Sequence, residues 1–259
     1  MDYRFPFGQP VHPVVQQDRT FKRAFVLGVY ASAVHAVWVS HRGRVLVRAL
    51  AVASEPEIFW RGENAAEIVG GITVPHDAGY LLPANPSLNG PSGRTLDTQF
   101  LRPMGLSRSD AWLCDLLPAS RVNHAQQRAL KRHYRPLVER GLLPEATVPL
   151  VPSIFADDAR RRDILAEVTT SRAELLVLFG DKPIREFLAP LTGLAPTLTE
   201  LTASGAKYGK QLSVRLNGRS LEALPLVHPR QAAALGVSSA KWGAAHAAWV
   251  RRSLTRARS

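Results

Sequence analysis

Three stretches of the 259-residue chain place polar or ionisable side chains just past apolar, strand-like runs: residues 28–35, 115–123 and 228–230. His228 brings an imidazole, which near neutral pH donates through one ring nitrogen and accepts through the other. Pro229 restrains the backbone that carries it. Asp115 continues the apolar run Ala111-Trp112-Leu113-Cys114, and an ionised carboxylate there can only accept hydrogen bonds. Arg230 offers a cation that can reach a phosphate, and Gly28 lets the backbone turn sharply. Each of these groups also has a plain structural role open to it. His228 can cap a strand end, Asp115 can cap a loop, and Arg230 can sit in solvent. Arg121 and Asn123 can contact a phosphate backbone or cap the helix that follows, and capping suits Asn123. Ser32 and His35 are the polar groups nearest the first turn, and a lone histidine in a β-rich run is ordinarily structural.

The elements that must position these residues follow from apolar patterning. Ala24-Phe25-Val26-Leu27 is apolar throughout, as a strand buried on both faces should be, and ends at Gly28. Runs at 34–40 and 45–53 flank His41-Arg42-Gly43-Arg44 and read as a hairpin. Residues 72–92 are rich in turn formers and read as a binding loop or a plain surface connection. A helix is expected over 94–104, a strand over 111–117, and a basic helix over 124–140 with Pro136 as a kink point. Residues 158–170 read as helix, 175–180 as a second buried strand, and the segment through Ile184, Phe187 and Leu188 as helix. Late strands are expected at 211–216 and 223–227. A C-terminal helix over 239–256 carries Trp242, His246 and Trp249 at helical spacing. The alternation predicts an α/β protein: a central, mostly parallel sheet flanked by helices, with an added β-hairpin. Without a repeat or a domain-scale linker, residues 1–259 read as one domain, with an extended lead-in over 1–22 and a basic tail over 251–259 (Arg251, Arg252, Arg256 and Arg258). In open sheets of this kind ligands bind beyond the carboxyl ends of the strands, which is where the three stretches fall.

The net charge of +12 favours a polyanionic partner. The single cysteine, Cys114, excludes an internal disulfide and a cysteine-ligated metal or iron–sulfur cluster, and its apolar neighbours mark it as a small buried hydrophobe. The eight histidines show no metal-ligand spacing, so no metal or cofactor is expected. No signal-like or membrane-spanning run is visible, which makes the cytoplasm the default and a membrane partner unexpected.

Taken in order, these segments resemble the uracil-DNA glycosylase superfamily, especially the families usually numbered four and five. Leu27-Gly28-Val29-Tyr30-Ala31-Ser32 stands where those proteins place a Gly-Glu-Ala-Pro-Gly or Gly-Leu-Ala-Pro-Ala turn. Asn89-Gly90-Pro91-Ser92-Gly93-Arg94-Thr95-Leu96-Asp97 resembles their Phe-Val-Gly-Pro-Ser-Gly segment. Ala111-Trp112-Leu113-Cys114-Asp115 occupies the place of a Tyr-Ile-Thr-Asn strand. Val177-Leu178-Phe179-Gly180 is similar to the strand before a helix in that fold, and Val227-His228-Pro229-Arg230 is similar to a His-Pro-Ser motif.

The resemblance implies a monomeric base-excision enzyme of DNA repair that extrudes a deaminated base from single- or double-stranded DNA and hydrolyses its N-glycosidic bond. In that reading His228 donates to the departing base. Gly28, Val29, Tyr30, Ala31 and Ser32 form the pocket turn, with Leu88 and Asn89 beside the base. Arg121, Asn123 and Arg230 contact DNA, and the loops converge on one cavity. Five departures bear on the chemistry. Val29 and Tyr30 supply no carboxylate or amide to activate water, and Ala31 replaces a proline. Asp115 stands in place of the asparagine that reads uracil, so it alters base choice or serves as the general base. Leu88 replaces a phenylalanine and forgoes stacking worth ~1–3 kcal/mol, which Tyr80 or Tyr30 can offset. The cysteines of an iron–sulfur cluster are missing. Two other functions fit: a nucleic-acid binder that kept the fold without catalysis, and a hydrolase of free nucleosides, which has less use for a broad basic surface.

Overall fold

The computed structural model describes residues 2–233 and 239–256; Arg258 of the basic tail lies outside the described residues. In chain order the strands are β1 (Ala24–Tyr30), β2 (Ala33–Val39), β3 (Val45–Ser54), β4 (Tyr80–Pro83), β5 (Ala111–Leu117), β6 (Leu175–Phe179), β7 (Leu212–Leu216) and β8 (Arg219–Leu226). The helices are α1 (Ala65–Gly70), α2 (91–104), α3 (124–139), α4 (Asp158–Ser171), α5 (181–192), α6 (Leu198–Leu201), α7 (Pro229–Ala232) and α8 (Ser239–Arg256). They form two compact units. The first comprises Met1–Val14, Tyr30–Pro91 and Pro118–Ser153; the second comprises Val15–Val29, Ser92–Leu117 and Ile154–Ser259. The chain passes from one to the other five times, so their division leaves no linker in the sequence.

The second unit is the expected α/β layer structure. Its five-stranded sheet has the order β5-β1-β6-β8-β7. β1, β6 and β8 run parallel, and β7 closes the edge antiparallel to β8. The central strands are apolar because both faces are covered: residues 24–28 of β1 and 176–179 of β6 are all buried. Pro225 is tolerated in β8 because it lies past the last β7 pairing, Leu212 with Ala223. Phe25 stacks on Trp112, and the Trp112 indole donates to Glu167 at 2.9 Å. Asp157 caps α4 by accepting from the Arg160 amide at 2.8 Å.

The first unit is built on a three-stranded antiparallel sheet of order β3-β2-β4. The expected hairpin β2–β3 is present, and β4 adds a strand to it where the sequence suggested only loop. β4 is four residues long, ends in Pro83 and lies at the sheet edge, where proline and short length are both accommodated. Trp38, Phe7 and Tyr134 cluster edge-to-face beneath this sheet, with Leu50, Val52 and Trp60. α3 supplies Leu130, Tyr134, Leu137 and Val138 to the same core. It widens into a π-turn at Leu130–Tyr134 just ahead of Pro136, as a helix does where proline removes a donor.

Candidate functional site

In the second unit the carboxyl ends of β1, β6 and β8 border one cavity of about 530 Å³, within the ~300–1,000 Å³ typical of small-ligand sites. Val29 reaches it from β1, Phe179 and Gly180 from β6, and His228 from the end of β8, while Trp242 of α8 forms an apolar wall. Asp181, Lys182, Arg185 and Arg230 supply its charge. Gly180 has φ +80° and ψ −173°, a conformation essentially confined to glycine. The added carbon of a larger residue there would meet the His228 Cβ in ordinary contact at 3.5 Å, so the backbone conformation, not space, calls for glycine.

His228 caps α7: its Nδ1 accepts the Arg230 amide at 3.2 Å, and its own amide donates to the Gln231 side chain at 3.3 Å. That bond has a chemical consequence. With Nδ1 accepting, a neutral ring carries its proton on Nε2, and among the described residues Nε2 has no hydrogen-bond partner. Burial, then the nearby Arg230 cation, lowers the His228 pKa to about 4, so the ring is neutral near pH 7. His228 therefore caps α7 while its Nε2–H stays unengaged among the described residues.

The position of His228 rests on a buried polar chain. The Val227 amide donates to Tyr208 Oη at 3.1 Å. His246 Nε2 lies 3.2 Å from the Gln99 carbonyl, which can only accept, so Nδ1 is the acceptor for Tyr208 Oη at 2.8 Å. Burial lowers the His246 pKa to about 4 and raises that of the Tyr208 hydroxyl, which holds the chain in this one direction. His246 is wedged between Phe100 and Trp249, with ring centroids 4.4 and 5.2 Å away, so the spacing read in the sequence marks the buried stripe of α8.

Two parts of the sequence-based site take a different form. Gly28 makes no turn: β1 runs through Val29 to Tyr30, extended as branched and aromatic residues prefer, and the chain leaves the strand at Ala31. Asp115 does not line the cavity. It sits inside β5 at 4% exposure, and three strand spacings of ~4.8 Å separate β5 from β8. Burial, opposed by Arg160, lifts the Asp115 pKa to about 7. Near neutrality it is a mixture of carboxylate and acid, able to donate as well as accept.

The remaining predicted residues belong to the first unit. Ala31 is buried and Ser32 exposed; the Ser32 amide donates to the buried Glu55 carboxylate at 3.0 Å, and its carbonyl accepts from Ser120. Tyr30 is half-buried. Asn89 is buried and clamps the His35 backbone, accepting its N–H at 2.8 Å and donating to its C=O at 3.0 Å, so both ends of the amide are engaged structurally. Leu88 is 38% exposed on a short turn, and Tyr80 is 44% exposed on β4. Asn123 caps α3 through the Gln126 amide at 2.9 Å, and Arg121 donates to the Ser120 carbonyl at 3.1 Å.

Sequence reasoning passed over Asp181, Lys182 and Arg185. The signal was present: they follow a buried strand ending in glycine, the same feature that drew attention to Gly28. The Asp181 carboxylate accepts the Leu198 amide at 2.8 Å. Lys182 sits over the Phe155 ring at 4.2 Å and 3.8 Å from Glu186. Arg185 and Arg230 have no carboxylate partner among the described residues. Glu55, a carboxylate against the 31–32 turn, was also missed, because it joins that turn from the end of β3. Among the described residues no group of three or more His, Cys, Asp or Glu is placed to hold a metal, and no helix is long and apolar enough to cross a membrane. No protein-family model matches the chain, and no curated protein matches it in sequence.

Proposed function

We propose that the protein is a DNA N-glycosylase that receives an extruded, deaminated base at the cavity below β1, β6 and β8. The observation that carries this reading is His228: a neutral imidazole, its Nδ1 occupied by the Arg230 amide, its Nε2–H available in a cavity rimmed by three cations. Such a donor suits a leaving base, whose carbonyl oxygen gains negative charge as the N-glycosidic bond breaks, and a dipole already fixed by the α7 cap needs little reorganisation there. Arg185 and Arg230 hold flanking phosphates. Asp181, which shares the cavity, positions the water that adds to C1′ and takes its proton. It fills the role left open by Val29 and Tyr30 better than Asp115, which is buried outside the cavity.

A second reading is a nucleic-acid binder without catalysis. The absence of a carboxylate at 29–30 and the commitment of Asp181 to the Leu198 amide favour it. A panel of single- and double-stranded oligonucleotides carrying uracil, hypoxanthine or xanthine separates the two by abasic-site formation. The glycosylase reading expects excision of at least one of these bases, reduced ~10²–10³-fold in His228→Ala and ~10²-fold or more in Asp181→Asn. Salt-dependent binding with no excision of any of the three establishes the binder instead, and turnover of free nucleosides alone rejects both.

A further inference from the structure

The first unit carries a cationic surface of its own that the cavity does not use. Residues 40–45 and 124–140 contain seven lysines and arginines against one carboxylate, Glu139, which pairs with Arg135 at 2.8 Å. Arg42, Arg44, Arg128, Lys131 and Arg132 are exposed and have no carboxylate partner among the described residues. The fold brings the two segments together. Leu46 and Val47 of β3 pack in one core with Leu130, Leu137 and Val138 of α3, and Trp38 of β2 meets Tyr134 at 5.9 Å. Positions 128, 131, 132 and 135 follow each other at helical spacing along the outer side of α3, a stripe of ~10 Å at 1.5 Å per residue.

We propose that this surface, the β2–β3 hairpin tip with the outer face of α3, docks the phosphate backbone of nucleic acid. Unpaired cations spaced over two rigid elements fit a polymer with regularly repeated charge, whose counterions are released on binding. An anionic membrane is the other polyanion in reach, but a helix that binds one inserts its apolar face. The apolar face of α3 is already spent on Tyr134, Leu130 and the core beneath the sheet. The exposed residues that precede these cations on α3, His124, Ala125 and Gln127, offer no bulky apolar anchor. The surface goes beyond the proposed excision site and stands or falls separately from it: a protein that excises nothing can still dock nucleic acid here.

The half-buried His133 provides a reporter on the unmodified protein. Burial lowers its pKa, and the Arg132 and Arg44 cations lower it further. Backbone phosphates that neutralise these two arginines raise it, so imidazole NMR with and without a labelled oligonucleotide is the first measurement. The second is anisotropy against salt for Arg42→Ala/Arg44→Ala/Arg132→Ala. We expect the His133 pKa to rise on binding. We expect the triple variant to bind at least 10-fold more weakly at moderate salt, with a log–log salt slope shallower by about two to three. Excision by this variant at saturating DNA is unchanged. An oligonucleotide that binds tightly without moving His133, parental affinity and slope in the triple variant, or binding to phosphatidylserine vesicles but not to oligonucleotides each overturns the proposal.

Discussion

At the scale of single residues, the protein holds ionisable groups away from their usual states by burial. Asp115 is the clearest case. Its carboxyl is lifted from 3.8 to about 7, so between those values the folded state holds a proton that the unfolded chain has released. The protonated group's contribution is therefore complete below the unfolded carboxyl range and is lost as pH rises through about 7, by up to ~4 kcal/mol. Asp115→Asn is expected to be the more stable protein at pH 8 and to lose that advantage at pH 4, measured by urea denaturation at both. Because the side chain lies outside the cavity, base preference and excision rate should change by no more than a few-fold. His228 and His246 have the opposite sign: each is lowered to about 4. The stability they confer is full above about 6.5 and lost as pH falls through about 4. The proposed donor accordingly keeps its Nε2 proton, as a neutral ring, across the whole range in which Asp115 titrates.

At the scale of elements, the buried chain from Val227 through Tyr208 to His246 ties the end of β8 to α8. Tyr208→Phe removes one oxygen and leaves two buried groups without a partner, the Val227 amide and His246 Nδ1. The expected cost is ~2–6 kcal/mol of folding stability at ~1–3 kcal/mol per unsatisfied group. His228 Nδ1, held locally by Arg230, should keep its tautomer. Thermal unfolding and imidazole NMR of the variant check the two halves of this prediction. Most elements were readable from the sequence because short contiguous apolar runs ending in glycine, such as residues 24–27 and 175–179, fit strands buried on both faces better than helices. The hairpin was readable from its two β-rich runs around Gly43, and the helix α8 from the spacing of Trp242, His246 and Trp249. β4 was not, because an edge strand of four residues ending in proline carries no periodicity of its own. The end of β1 was misjudged: Gly28 reads as punctuation, yet Val29 and Tyr30 favour extension and carry the strand onward.

At the scale of the whole molecule, the +12 charge pointed to a polyanion, but composition says nothing of where the charge gathers. The fold gathers part of it at the rim of the cavity at the carboxyl ends of β1, β6 and β8, and another part on the outer face of α3 with the hairpin tip. The cavity depended on a fourth strand end, Gly180 to Arg185, that reading along the chain treats as remote from His228. Only the parallel pairing of β6 with β8, Phe179 beside Leu226, makes them neighbours. The division into two units was illegible for a similar reason, since each is assembled from three separated segments.

The central claim is that the Nε2–H of a neutral His228 meets the extruded base. Imidazole ¹⁵N NMR of the protein, titrated with an oligonucleotide carrying the base found to be excised or bound most tightly, tests it without depending on turnover. The account predicts the Nε2-protonated tautomer, unchanged by pH down to about 4.5, with an Nε2–H resonance that shifts and becomes protected from exchange when the oligonucleotide binds. A ring protonated on Nδ1, or an Nε2–H left unshifted and exchanging while the oligonucleotide is bound, would contradict it.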